Sequence, residues 1–236
     1  MAPGGGACEI VHKPSRPERS VNADKPIAES TVRRLSLYLR VLEQAQERGT
    51  RTISSDELAE EGGTTSAQVR KDLSFFGSFG TRGRGYHVAE LVAELHRILG
   101  LGREWRVYIV GAGRIGAALA GYHGFVQRGF TVLGVYDNDA RLIGTAVDDV
   151  VVRDFGRLAT DAAAERPDIA VLAVPGEVAQ LVAERVVAAG IDAILNFAPV
   201  PLHVPAHVTV RSVNMALELE GLAYAIVHRD SVHPAA

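Results

Sequence analysis

Six consecutive residues carry the clearest chemistry in the chain. Gly111–Ala112–Gly113–Arg114–Ile115–Gly116 follows the short apolar run Trp105–Val110 and opens an alanine-rich segment of helical character. In a strand–turn–helix setting the first glycine permits a tight turn and the second lets backbone approach a pyrophosphate. The third lets helix and strand pack closely. Asp137 closes the next strand-like run, Thr131–Tyr136, at about the ~20-residue distance where an acidic group meets a ribose diol. A carboxylate there accepts hydrogen bonds from both hydroxyls and repels a 2′-phosphate, so the expected cofactor is NADH/NAD+ rather than its phosphorylated form. Asp139 reads as a solvated turn residue. Two later strand ends, Val174–Pro175–Gly176 and Asn196–Phe197–Ala198–Pro199, are candidates for the nicotinamide half of the pocket. Loop punctuation by the prolines and a core role for Phe197 remain open alternatives.

A second constellation is basic. Between Thr64 and His87 the charges are Arg70, Lys71, Arg82 and Arg84 against Asp72 alone. Such a local excess in an acidic chain is the footprint a DNA-contacting element leaves, although a solvated face would look the same. No His–Asp or lysine constellation suited to acid–base catalysis presents itself, and no metal-ligand spacing. His203 and His207 read as surface residues of a proline-punctuated loop.

These residues need elements to hold them. Val32, Leu35, Leu39 and Leu42 recur at spacings of three and four, which predicts a helix closed by Gly49. Ser54–Ser55–Asp56–Glu57 and Thr65–Ser66–Ala67–Gln68 read as two capping boxes, each opening a short helix, with Gly62–Gly63 between them. The second helix is expected to run to Gly77, with Val69, Leu73 and Phe76 facing inward. Ser66, Gln68, Arg70 and Lys71 are then the candidate DNA contacts of a helix-turn-helix. Phe79–Tyr86 alternates glycine with Thr81, Arg82 and Arg84, as a wing would, its arginines set to touch backbone or minor groove. A further helix buries Leu91, Leu95 and Ile98 and stops at Gly100.

The second half alternates strands with helices. Ile169–Val174, Ile191–Leu195 and Val208–Val213 are nearly continuous apolar runs, which predicts a parallel sheet covered on both faces. The last helix, Asn214–Val227, is apolar around most of its circumference and must be buried, either on a partner subunit or back on its own sheet. The expected class is therefore α/β. Residues 1–25 form a disordered extension, 26–101 a winged helix-turn-helix domain, 102–213 a Rossmann-type domain, and 214–228 a C-terminal dimerisation helix.

Composition sets the outer bounds. The 236 residues are 47% hydrophobic and 22% charged, which excludes a disordered chain. No run is long and apolar enough to span a bilayer, and MAPGGGACEI has no secretory pattern, so a cytoplasmic location is expected. The one cysteine, Cys8, excludes an intramolecular disulfide framework and a cysteine metal cage; it lies in the extension and reads as incidental. The net charge of −3 divides unevenly: residues 1–104 hold 15 basic and 14 acidic side chains, the remainder 10 and 14. Two binding modules fill the length, which leaves no substrate domain and argues against an enzyme. A small NAD-dependent oxidoreductase or a CoA-binding Rossmann protein are the alternatives.

The stretches TVRRLSLYLRVLE, SSDELAEEGGTTSAQVRKDLSFFGSFGTRGRGY, VGAGRIGAALAGY, ILNFAPV and LELEGLAYAI occur here in one order. In these the chain resembles the Rex redox-sensing transcriptional repressors, over residues 26–227. The resemblance implies a homodimer exchanging its C-terminal helix, bound to a palindromic double-stranded operator and released when NADH binds. It places Arg70 and Lys71 in the recognition helix, Arg82 and Arg84 in the wing, and Tyr122 near the nicotinamide. It also implies a coupling network joining Arg40 and Tyr122 to an acidic residue at the start of the exchanged helix. This chain has Asn214 at that place, followed by Met215. An amide cannot ionise, so the coupling is expected to persist with altered strength.

Overall fold

The computed structural model describes residues 27–77, 79–80 and 85–228. The expected extension at 1–25, Cys8, Arg82 and Arg84 lie outside the described residues. The chain divides into two compact units between Gly100 and Leu101.

The first unit is helical. Leu35, Leu39 and Leu42 of helix α1 (Glu29–Glu47) are fully buried, as their spacing demands, whereas Val32 at the end of the stripe is exposed. Strand β1 (Thr52–Ile53) leads into α2 (Ser55–Glu61). The capping box at Ser54 is complete: its hydroxyl accepts from Glu57 N and the Glu57 carboxylate accepts from Ser54 N. Helix α3 (Ser66–Ser74) ends three residues before Gly77. Its box is half formed, since Thr65 accepts from Gln68 N but the Gln68 side chain turns down the helix to Asp72. Val69 and Leu73 are buried and Phe76 half-buried; so, against the hydrophobic pattern, is Asp72 buried. Strand β2 (Tyr86–His87) pairs antiparallel with β1, and α4 (Val88–Ile98) buries Leu91 and Leu95 but leaves Ile98 half-buried. Gly80 and Gly85 both take positive φ, and a Cβ on Gly80 would fall 2.4 Å from the Gly85 carbonyl oxygen. Gly80 and Gly85 are thus in close contact; the expected tip of the wing lies outside the described residues.

The second unit is a seven-stranded sheet. Its strands are β3 (Trp105–Val110), β4 (Phe130–Asp137), β5 (Ala146–Val147), β6 (Val150–Asp154), β7 (Ile169–Leu172), β8 (Ala193–Asn196) and β9 (Thr209–Ser212). They lie in the order β5-β6-β4-β3-β7-β8-β9, parallel except for the β5–β6 hairpin at one edge. Without β5 this is the order of a dinucleotide-binding Rossmann sheet, whose switch point falls between β3 and β7. Tyr108 and Val110 point to one face, where α6 (Leu158–Glu165) and α7 (Gly176–Ala188) cover them. Val107 and Ile109 point to the other, towards α5 (Arg114–Ala120). The expectation of two covered faces needs correcting there. α5 is short, and over β7–β9 the sheet carries an apolar groove of about 290 Å³ floored by Ile169, Val171 and Leu195. Helix α8 (Met215–Val227) has no buried residue, and Leu219, Leu222 and Ile226 are each more than 60% exposed. It does not pack back on its own sheet.

Candidate functional site

The turn after β3 separates its three glycines by physical role. Gly111 has φ +100°, and a Cβ there would sit 2.4 Å from the Ala173 carbonyl oxygen. Gly116 faces the same constraint more severely: its Cβ would lie 1.7 Å from the Gly111 carbonyl oxygen. Both are required by the fold itself. Gly113 is different. Its φ of −67° suits any residue, and nothing lies within 4 Å of the Cβ it lacks. Neither torsion nor protein packing explains a glycine here; open room for a ligand beside the backbone does.

Asp137 ends β4 alongside this turn. One carboxylate oxygen accepts from Ala112 N at 2.7 Å and the other from Asp139 N at 2.9 Å. The carboxylate is thereby fixed, and each oxygen keeps acceptor capacity for a hydroxyl. Asp139 is a turn residue as expected, clamped by Arg141 at 2.6 Å; hydrogen bonds from the Arg141 guanidinium and backbone hold its carboxyl down to about 2. Gly111, Gly113, Asp137, Val174 and Pro175 all line one cleft of about 590 Å³ at the switch point between β3 and β7. Sequence reasoning missed Leu142, Asp154, Phe155 and Arg185, which line it too. Asp154 and Phe155 follow β6, and the run Val150–Val152 was too short to stand out. The signal was an acidic residue closing an apolar strand, as at Asp137.

The remaining nucleotide candidates lie outside this cleft. Asn196 is fully buried and its amide is occupied by its own loop. Oδ1 accepts from Ala198 N at 3.0 Å, while Nδ2 donates to the Val200 carbonyl at 2.9 Å and, more weakly, to that of Ala198. It shapes the Phe197–Pro199 turn rather than presenting a free polar group. Ala198 is buried, Phe197 packs half-buried against the core, and Pro199 is exposed. Ala112 and Gly116 are buried in the glycine turn, whereas Arg114 and Ile115 are exposed at the start of α5. Tyr122 is 57% exposed, its ring edge-on to Phe125. Among the described residues no cluster of His, Cys, Asp or Glu is grouped to hold a metal.

On the helical unit, Arg70 and Lys71 are exposed on α3, and Ser66 is half-buried at its start. Arg70 donates to Ser55 Oγ at 2.8 Å, which ties α3 to the first turn of α2. Gln68 donates to Asp72 Oδ1 at 2.8 Å. Of the coupling candidates, Arg40 is exposed on α1, and Asn214 is the N-cap of α8, its Oδ1 accepting from Ala216 N at 3.0 Å.

Two family models match the two units separately. One, described as a putative DNA-binding protein N-terminus, covers residues 26–74; the other, a CoA binding domain, covers residues 102–200. Whole-chain relatives are more specific. The chain is 46% identical over 205 residues to the redox-sensing transcriptional repressor Rex of Pelotomaculum thermopropionicum, across 87% of this chain and 96% of that one. The chain belongs to the Rex family of redox-sensing transcriptional repressors. The Rex of Streptomyces coelicolor is likewise 46% identical, over 89% of this chain and 81% of its own. Among solved structures, RSP, a Rex-family repressor, in complex with beta-NAD+ and operator DNA superposes with a TM-score of 0.82. It is 38% identical, over 88% of this chain and 95% of that one. RSP in complex with beta-NADH gives a TM-score of 0.79 at 36% identity. Rex-family proteins are repressors rather than enzymes, so the oxidoreductase alternative falls. The CoA-domain match describes the shared Rossmann frame within a Rex-family chain.

Proposed function

We propose that this chain is a homodimeric repressor that holds a palindromic operator and lets go when NADH occupies the cleft at the β3–β7 switch point. The observation that carries the nucleotide half is Gly113, a glycine whose missing side chain serves neither torsion nor packing, next to an anchored Asp137. In this reading the pyrophosphate lies along Gly111–Gly116, and Asp137 takes the ribose diol. Asp154, which lines the same cleft, reinforces the rejection of a 2′-phosphate. The nicotinamide in this reading reaches past Val174–Pro175, beyond the cleft itself, towards the apolar turn at Phe197–Pro199 and Tyr122. An apolar wall there favours the uncharged dihydronicotinamide over the cationic ring, because burying an unpaired charge is costly. RSP, at 38% identity, binds beta-NAD+ together with operator DNA, and also beta-NADH, which supports the same pair of ligands here.

The DNA half rests on α3. Arg70 and Lys71 present charge to the phosphates that flank the major groove, with Ser66 and Gln68 beside them. Arg82 and Arg84 would add wing contacts. The exposed apolar helix α8 supplies the reason for a second subunit: more than 60% exposure at Leu219, Leu222 and Ile226 is untenable in water unless a partner covers them. A partner copy related by a two-fold axis then pairs two α3 helices with two half-sites. Arg40, Tyr122 and Asn214 would join the two modules so that nucleotide and operator compete. No helix among the described residues is long and apolar enough to cross a membrane, and an operator-binding protein works in the cytoplasm. Sedimentation of the free protein and of its operator complex tests the assembly. A dimer, with two protected half-sites about one helical turn (~34 Å) apart, is expected. A monomer on a single site would overturn it.

A further inference from the structure

Helix α3 carries a buried carboxylate that the nucleotide and DNA roles above do not use. Asp72 is fully buried, and all four of its acceptor positions are filled. Arg34 of α1 binds it as a fork, Nε to Oδ2 at 2.6 Å and Nη2 to Oδ1 at 2.8 Å, while Nη2 also reaches Thr31 Oγ1. Tyr38, one turn further along α1, donates to Oδ2 at 3.0 Å. The fourth donor is Gln68 Nε2, at 2.8 Å from Oδ1. Burial alone would push the Asp72 carboxyl up, but the bonds from Arg34, Gln68 and Tyr38 together hold it below the usual carboxylate range. It is ionised at neutral pH.

An ionised carboxylate accepts and never donates, so the Gln68 side chain can face it only with its amide nitrogen. One of the four groups on the rim of the DNA-facing surface is thus locked in a single amide orientation. Gln68 is half-buried at the border between the core stripe and the exposed face that carries Lys71. With one amide hydrogen spent on Asp72, the second hydrogen and Oε1 remain. A donor beside an acceptor is the edge that pairs with adenine, whose N7 accepts and whose N6 amino group donates in the major groove.

We infer that Asp72 is a positioning residue that never touches DNA, and that it presents Gln68 as the reader of one adenine in each operator half-site. The inference rests on α3 being the recognition helix. The Arg34 and Tyr38 bonds fix the carboxylate to α1, so the orientation of Gln68 is set by the scaffold rather than by the DNA. The arrangement is made before binding, and Gln68 has little freedom left to lose.

The test is selection from a random duplex library by the full chain, followed by sequencing, for the natural protein and for Gln68→Ala, Gln68→Glu, Asp72→Asn, Arg34→Lys and Lys71→Ala. The natural protein should enrich an adenine at one position per half-site, and Gln68→Ala should lose that preference by about 10-fold or more while other positions stand. Gln68→Glu sets a second carboxylate against Asp72, so the two repel or share a proton, and the adenine preference should be lost in this variant too. Asp72→Asn lets the glutamine amide turn over, and Arg34→Lys loosens the carboxylate. Each should relax the same position and no other, with NADH binding unchanged. Arg34→Lys decides the matter if Asp72→Asn does not fold. Lys71→Ala should weaken every sequence alike and reduce the salt dependence by about one ion. An unchanged base preference in Gln68→Ala, or in both Asp72→Asn and Arg34→Lys, overturns the inference. Should Lys71→Ala also leave DNA affinity untouched, the recognition-helix reading fails with it.

Discussion

Replacing Gly113 by alanine separates a glycine kept for a ligand from glycines kept for the fold. Nothing in the protein lies within 4 Å of the new methyl group, and φ of −67° is ordinary for alanine. The free protein should therefore fold as before and gain about 0.4–1 kcal/mol through its less flexible unfolded state. The methyl group instead enters the space where the pyrophosphate approaches the backbone. Forcing an extra carbon into a close contact costs roughly 1–3 kcal/mol, which is about a 5- to 150-fold loss of NADH affinity. Thermal unfolding with and without NADH reads both effects at once. At NADH about 100 times its Kd, the natural protein gains ~2.7 kcal/mol; a variant weakened 100-fold gains ~0.4 kcal/mol at the same concentration. At roughly 2–4 °C per kcal/mol, the NADH-induced rise in Tm should drop from about 5–10 °C to about 1 °C. Gly113→Ala should also stay on operator DNA in NADH. Gly116→Ala is the matched control: its methyl would lie 1.7 Å from the Gly111 carbonyl oxygen, so it should fail to fold correctly with or without nucleotide. A Gly113→Ala protein that binds NADH as tightly as the natural one would refute the reasoning.

Other perturbations have equally definite outcomes. Asn214→Asp keeps the cap on Ala216 N and adds a charge that the α8 N-terminus favours. It should strengthen the NADH dependence of operator release, and an unchanged dependence in a gel shift would show that position 214 takes no part in coupling. Tyr38 is fully buried and its hydroxyl is pushed up from 10 to about 12, by burial first and then by its bond to Asp72. Because the folded value is the higher one, its stabilisation is complete below pH 10 and is lost as pH rises towards 12. The natural protein should lose up to ~3 kcal/mol of unfolding free energy over that interval relative to Tyr38→Phe, measured by denaturant titration. Leu222→Glu on α8 places a charge on an apolar surface exposed in the single chain. The monomer should keep its fold by circular dichroism while sedimentation shows the dimer weakened; an intact dimer would place the subunit contact elsewhere.

The nucleotide turn was legible because its constraints are local. Strand, glycine spacing and the acidic residue after the next strand are properties of one βαβ segment, and Gly111, Gly113 and Asp137 do converge on one cleft. What escaped the sequence was set by distant partners. Asp72 looked like a lone acid on a basic face, yet Arg34 and Tyr38, 38 and 34 residues earlier, draw it into the core. Asn196 read as a candidate for the nicotinamide half of the pocket, but its amide closes its own turn. The second capping box is incomplete for the same reason: the Gln68 side chain turns to donate to Asp72 instead of accepting from Thr65 N. Short strands such as β5 and β6 carry too few residues for a period-2 pattern and are held by pairing with β4 and each other. The groove over β7–β9 could not be foreseen, since coverage of a sheet face depends on helix length and placement rather than on strand composition.

Redox sensing in this chain would mean that one cleft reports the state of a dinucleotide to a DNA-binding helix. It is tested most directly by fluorescence anisotropy of a labelled operator duplex bound to the full-length protein, titrated in parallel with NADH and NAD+ at fixed salt. Release by NADH is expected at concentrations where NAD+ leaves the complex in place, with loss of that difference in Gly113→Ala. No operator complex at all, or equal release by both nucleotides, would contradict it.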